Sequence, residues 1–265
     1  MTATAARKPQ NIKGNLPTWG VWERMVPEMV AEGDPCTQRM LDIHLGRYQT
    51  ASRYVQGKKV LDIASGAGFG SKMLKETGAA QVIGVDISPT SIQYAQEHYG
   101  TAGVSFVQAD AEVFEWQEPF DVIVSFETIE HVPHPDKFLA QIRKLLKPDG
   151  HFLLSVPLGE TRHIDPYHLH VFQQQDVFEK FQQAGFTIDA YRIDDWTIQI
   201  SDLEIWKKLY PESRVSLKDL FFTWRGRRAL WDLIKYKCIS MPQIMVHAQL
   251  TTNFSGESQP LQHLD

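Results

Sequence analysis

The chain has 265 residues, 43% hydrophobic and 22% charged, with a formal net charge of −5. That is enough for one sizeable core with an appendage, and the acidic balance excludes a general nucleic-acid binder. Cys36 and Cys238 lie far apart, so neither a disulfide framework nor a zinc knuckle is available, which points to a reducing cytoplasm.

Residues 1–18 are polar, with Pro9, Gly14 and Pro17 as breakers, and are expected to form a mobile N-terminus without a signal-peptide core. No apolar run reaches the roughly 20 residues of a membrane span. Residues 19–56 are expected to form a helical lid. Asp34-Pro35 starts a helix, and Met40, Leu41, Leu45 and Tyr48 repeat at helical spacing. This helix carries His44, Arg47, Tyr48 and Arg53. It reads either as an amphipathic helix packed on the core or as a cover through which Arg47 or Tyr48 reaches a ligand.

Residues 57–193 are expected to form the core. VLDIASGAGFG, residues 60–70, combines an apolar strand, a turn containing Gly66, Gly68 and Gly70, and a helix start. Glycines in such a turn let backbone amides approach a ligand. Further strands are expected at 81–86, 104–108, 120–125 and 151–156, and Pro148-Asp149-Gly150 is expected to stop the helix before the last of these. Alternating strands and helices imply a doubly wound, mostly parallel α/β sheet. In such a sheet the ligand lies beyond the carboxyl ends of the strands, where Asp62, Asp86 and Asp110 converge.

Asp86 stands twenty residues after Gly66, the spacing that offers a carboxylate to ribose hydroxyls. A nicotinamide dinucleotide would use the same carboxylate. Against it, Ser71 occupies the sixth position counted from Gly66, where the dinucleotide fingerprint requires glycine, and Asp110 is placed to accept from an adenine amino group. The acidic rim also suits a cationic cofactor.

These motifs together resemble the core of the class I S-adenosylmethionine-dependent methyltransferases. VLDIASGAGFG resembles their first motif, GVDIS the second-strand motif, QADA the adenine motif and DVIVSFETIEHV the fourth-strand motif. LLKPDGHFLLSVP resembles the approach to strand five. Ala64 departs from the pattern, since glycine is common there. The resemblance implies a seven-stranded sheet of Rossmann-like type and a methyltransferase. It implies that Asp62, Ala64, Gly66 and Gly68 hold the methionine part of the cofactor, that Asp86 takes the ribose, and that Asp110 with Ala111 takes the adenine. Ile87 and Phe126 would pack on it. WERMVPE and HLGRYQTASRYV are similar to the N-terminal cover of bacterial methyltransferases of sugars and surface glycans.

After strand five, Arg162 to His170 contains His163, Asp165, His168 and His170. The spacing matches no defined metal pattern, so no metal ligand set is assigned, although magnesium on Asp165 or Glu127 remains open. An imidazole near neutrality suits proton removal from a hydroxyl. His168 is the first candidate for that base and His131 the second; Glu127 reads either as orienting substrate or as capping the loop.

The last two strands are expected at 185–193 and 243–253, separated by a helical insertion at 194–242. The insertion holds Trp196, Trp206, Trp224 and Trp231 with Arg225, Arg227 and Arg228, a set suited to core packing, substrate cover or homo-oligomer contact. Residues 254–265 form a polar tail. The expected function is methyl transfer from S-adenosylmethionine to a small polar acceptor, foremost a hydroxyl of a sugar or related metabolite. Alternatives are N- or C-methylation of a natural product, a nicotinamide oxidoreductase, or a non-catalytic cofactor-binding module.

Overall fold

A polar cap starts the first long helix. Asp34 Oδ1 accepts from the backbone N–H groups of Cys36 and Thr37, both at 3.1 Å, and Pro35 takes the first helical position of α1 (Pro35–Ala51). Proline loses nothing there, because that N–H has no partner within the helix. Short 3₁₀ turns at Pro27–Met29 and Ser52–Tyr54 flank it. The structure is a computed structural model that describes residues 25–30, 32–159, 167–209, 231, 234–235, 238–251 and 262–264.

Strand and helix then alternate: β1 (Lys59–Ile63), α2 (Phe69–Glu76), β2 (Gln81–Asp86), α3 (Pro89–Tyr99), β3 (Val104–Gln108), β4 (Phe120–Phe126), α4 (Pro135–Leu145), β5 (Leu146–Pro157) and α5 (Gln174–Gln183). The chain continues through β6 (Phe186–Gln199), α6 (Ile200–Leu209), β7 (Cys238–Leu250) and β8 (Gln262–His263). The sheet order is β3-β2-β1-β4-β5-β7-β6-β8. β1 to β5 run parallel, and β7 is antiparallel to both of its neighbours. The seven long strands are those expected for the sheet.

Side chains alternate between the faces of a strand, and this chain buries both. Leu61, Ile63, Ile83 and Ile123 pack against α4 and α5 through Phe138, Leu139 and Phe181. Val60, Val82, Val122 and Val124 pack on the other face with Tyr48, Leu74 and Ala95. Helices on both faces leave the strand ends as the place for a ligand, and the sheet order reverses between β1 and β4.

Three boundaries differ from the sequence reading. Phe120 pairs with Leu146 and Val122 with His151, so residues 147–150 loop out within β5 instead of preceding it. Gly150 permits this, since a Cβ there would come within 2.7 Å of Leu146 and 3.0 Å of the Asp121 carbonyl. The ends of the expected insertion are strand: β6 and β7 stay paired out to Gln199 and Cys238. Gln262 and His263 of the polar tail pair with Ala190 and Tyr191, and Leu264 is buried. Trp224, Arg225, Arg227 and Arg228 lie outside the described residues. Among the described residues no helix is long and apolar enough to cross a membrane.

Candidate active site

A cavity of about 650 Å³ opens at the carboxyl ends of β1 to β4. This is within the range of pockets that enclose small ligands. Ala64 and Gly66 line it from β1, Asp86 and Ile87 from β2, and Asp110 and Ala111 from beyond β3. Phe126, Glu127 and His131 line it from β4, and His168 from beyond β5. These ten are candidates from the sequence, and parallel pairing brings their strand ends to one side of the sheet.

The other two candidates, Asp62 and Gly68, are not on the cavity wall. Asp62 is buried beneath it, accepting from Ser71 Oγ at 2.6 Å and from the Tyr48 hydroxyl at 3.2 Å. It ties β1 to α1 and α2. Burial pushes its carboxyl up to about 7, against the hydrogen bonds from Ser71 and Tyr48 that favour the anion. Gly68 has φ of 92°, and a Cβ there would meet Ala95 at 2.6 Å and the Phe106 ring at 2.7 Å. This glycine serves packing.

The loop keeps an open approach elsewhere. Gly66 has φ of 55° and would carry its Cβ into open space, and its N–H donates to Asp86 Oδ2 at 3.0 Å. Ser88 N–H donates to Asp86 Oδ1 at 2.8 Å. Asp86 thus positions the loop whose edge it shares. Ala64, the residue that departs from the glycine pattern, has φ of 63°. The loop survives alanine, in a conformation that glycine reaches without strain.

Helix α1 supplies Met40, Ile43, His44 and Tyr48 to the wall. Tyr48 packs edge-on to Phe126 at 5.0 Å and Phe69 at 5.5 Å. Burial, followed by the Arg47 charge, pushes His44 down to about 3, so its imidazole is neutral at physiological pH. Arg47 points its guanidinium into the protein. Its Nη1 lies 3.2 Å from Glu127 Oε1, and it also donates to Gln243 Oε1. Glu127 accepts further from Ser155 Oγ at 2.8 Å and Gln243 Nε2 at 3.2 Å, from a backbone at φ of 51°. The extended ends of β6 and β7 add Trp196, Met241 and Gln243 to the wall.

His131 and His168 come together from the loops after β4 and β5, with ring centroids 4.7 Å apart at 68°. Glu130, buried in the same wall, has Oε1 3.8 Å from His131 Nε2. Glu130 is not among the candidates read from the sequence, and His168 stands there with His163, Asp165 and His170. His163 and Asp165 lie outside the described residues, and His170 Nε2 donates to the Val132 carbonyl at 3.0 Å. Adjacent strand ends were the signal for the grouping found, because β4 and β5 pair in parallel.

This sheet, with its switch point and cavity, defines the class I S-adenosylmethionine-dependent methyltransferase fold. Residues 55–210 match the family described as "Methyltransferase domain", and the chain belongs to it. The ubiquinone biosynthesis O-methyltransferase of Pseudomonas fluorescens is 36% identical over 103 residues, covering 37% of this chain and 44% of that protein. A phthiotriol/phenolphthiotriol dimycocerosates methyltransferase of Mycobacterium ulcerans is 32% identical over 116 residues, covering 42% and 43%. The chain spans under half the length of these curated relatives. The structure of the N-methyltransferase NodS from Bradyrhizobium japonicum, in complex with S-adenosylhomocysteine, is similar in fold, with a TM-score of 0.57 at 14% identity. That match covers 83% of this chain and 90% of NodS.

Proposed function

We propose that the chain transfers a methyl group from S-adenosylmethionine to a hydroxyl of a small-molecule acceptor. One observation carries this reading: a single cavity joins a nucleoside-type rim to an imidazole pair. On the rim, Asp86 and Asp110 line the cavity together with Ile87, an apolar side chain 60% exposed. Such an arrangement offers carboxylates to a ribose and an adenine amino group, with a hydrophobic surface for a flat ring. The open approach at Gly66 leaves room for the amino-acid end. Neutral His44 adds no positive charge to repel a cationic cofactor.

Bound there, the cofactor supplies a methyl group on a good leaving group, a sulfonium. The protein must then orient an acceptor oxygen and remove its proton. His168, with His131 beside it, stands at the acceptor side in this reading. Glu127 acts through its ion pair with Arg47, fixing the loop between the two halves. This reading does not call on the magnesium left open for Glu127, whose carboxylate is engaged by Arg47, Ser155 and Gln243.

Met25, Met40, Ile43, Leu169, Trp196 and Met241 make much of the remaining wall apolar. This favours a hydroxylated acceptor with a hydrophobic body over the sugar or related metabolite first expected, and it agrees with the ubiquinone biosynthesis named for one of the relatives. The test is turnover with isotopically labelled S-adenosylmethionine against paired phenolic and sugar acceptors, with the product located by mass spectrometry. His168→Ala should lower turnover about a hundredfold while S-adenosylhomocysteine affinity barely changes. Unchanged turnover would move the reading to nitrogen or carbon methylation.

A further inference from the structure

We infer that Glu130, His131 and His168 form a divalent metal site in the acceptor half of the cavity, selective for a first-row transition cation. The inference rests on the O-methylation reading and deepens it. One atom from each side chain lies within 4.8 Å of the others. A cation with bonds of about 2.1 Å holds its ligands roughly 3.4 Å apart. Side-chain rotation closes a gap of that size.

The backbone around the cluster is fixed in a way that suits ligation. Leu169 and His170 both donate N–H groups to the Glu130 carbonyl, at 2.8 and 3.2 Å. These bonds clamp the loop after β5 onto the loop after β4. His131 Nδ1 lies 3.2 Å from the Tyr167 carbonyl. A carbonyl only accepts, so Nδ1 is the donor. In the neutral ring Nε2 then carries the lone pair, and Nε2 is the atom nearest Glu130. Metal-bound imidazoles commonly have this arrangement, one nitrogen on the cation and the other donating to a backbone carbonyl.

Two imidazoles and one carboxylate favour zinc, manganese, iron or cobalt over magnesium and calcium, which prefer oxygen ligands. Three protein ligands also leave coordination positions open toward the cavity. With both imidazoles coordinated, neither serves as the base expected from the sequence; the acceptor hydroxyl loses its proton to water, more readily because a bound cation lowers the pKa of a coordinated oxygen. The oxygen electron pair forms the new C–O bond as the C–S bond breaks, and that bonding pair stays on sulfur in the neutral thioether. The substrate class is accordingly a hydroxylated compound whose oxygen completes the coordination sphere.

Cobalt(II) is the probe. Tag-free, full-length protein is stripped with a chelator and titrated with cobalt, following visible d–d absorption and calorimetric stoichiometry. One cobalt per chain is expected, with at least a tenfold loss of affinity in Glu130→Gln and in His168→Ala. His98→Ala, on α3, should bind as the parent does. Circular dichroism and S-adenosylhomocysteine binding on the same samples report folding. If folded parent protein binds S-adenosylhomocysteine but no cobalt, the metal site is wrong and the methyltransferase reading stands. If cobalt binds equally to folded Glu130→Gln and His168→Ala, the ligand assignment is wrong. If cobalt binds as expected but no S-adenosylhomocysteine does, the site stands and the methyltransferase reading fails.

Discussion

Arg47 on α1 and Glu127 after β4 form an ion pair at 3.2 Å, with the Arg47 side chain 1% exposed and that of Glu127 19% exposed. The pair fastens the helix over the cavity to the loop between its two halves. Removing one member of a buried pair leaves the other charge uncompensated. The cost is unequal here, because Glu127 keeps Ser155 and Gln243 and some solvent, whereas Arg47 is enclosed. Glu127→Gln should therefore lose about 2 kcal/mol, and Arg47→Met less. Urea unfolding of both variants checks this through the midpoint at unchanged slope. Equal stability of Glu127→Gln and the parent would rule out the pair as a fastening.

Ala64 occupies a left-handed conformation, with φ of 63°. Its Cβ costs about 1–2 kcal/mol there. Glycine relieves that strain but gains freedom in the unfolded chain, which offsets about 0.4–1 kcal/mol. Ala64→Gly should gain on the order of 0.5–1 kcal/mol, raising the melting temperature by about 2 °C. Scanning calorimetry decides it, and a lower melting temperature would mean that the alanine is not strained.

Much of this arrangement was legible in the sequence, and the reasons for the rest are specific. The strand-glycine-helix run and the strand-end aspartates identified the fold, because they are local and in order. Asp62 was harder. A residue near a strand end points to either face, and only the packing of Tyr48 and Ser71 shows it buried below the loop. That Gly68 also lies against Phe106 and Ala95 is a matter of tertiary packing, which the sequence does not show. Glu130 and His168 lie 38 residues apart, and the β4–β5 pairing that joins their loops is a tertiary fact. The polar tail gave no strand signal at Gln262–His263, since two residues are too few for any alternation to register.

Asp86 presents its two oxygens to the backbone N–H groups of Gly66 and Ser88. In the proposed site it also accepts from ribose. Asp86→Ala should weaken S-adenosylhomocysteine binding by about 1–3 kcal/mol, the range for losing charge-assisted hydrogen bonds. Asp86→Asn, which retains one carbonyl acceptor, should fall between. Titration calorimetry showing parent affinity in the alanine variant would remove the ribose assignment.

Two buried groups give the fold opposing pH dependences. Burial raises Asp62 from an ordinary 3.8 to about 7. Between those values the native protein holds a proton that the unfolded chain has released, so this group's contribution falls as pH rises through the window. Burial and Arg47 lower His44 from 6.5 to about 3. There the unfolded chain holds the extra proton, so that contribution falls as pH decreases from 6.5 toward 3. In the parent the two slopes oppose each other between about pH 4 and 6.5, each limited to about 1.4 kcal/mol per pH unit. Asp62→Asn mimics the protonated acid and should leave the His44 slope, with stability rising across that range relative to the parent. His44→Gln should leave the Asp62 slope, with stability falling relative to the parent. Denaturant unfolding at constant ionic strength from pH 4 to 7.5 separates them. Parallel curves for the two variants would show that neither titration is coupled to folding as the burial of these groups requires.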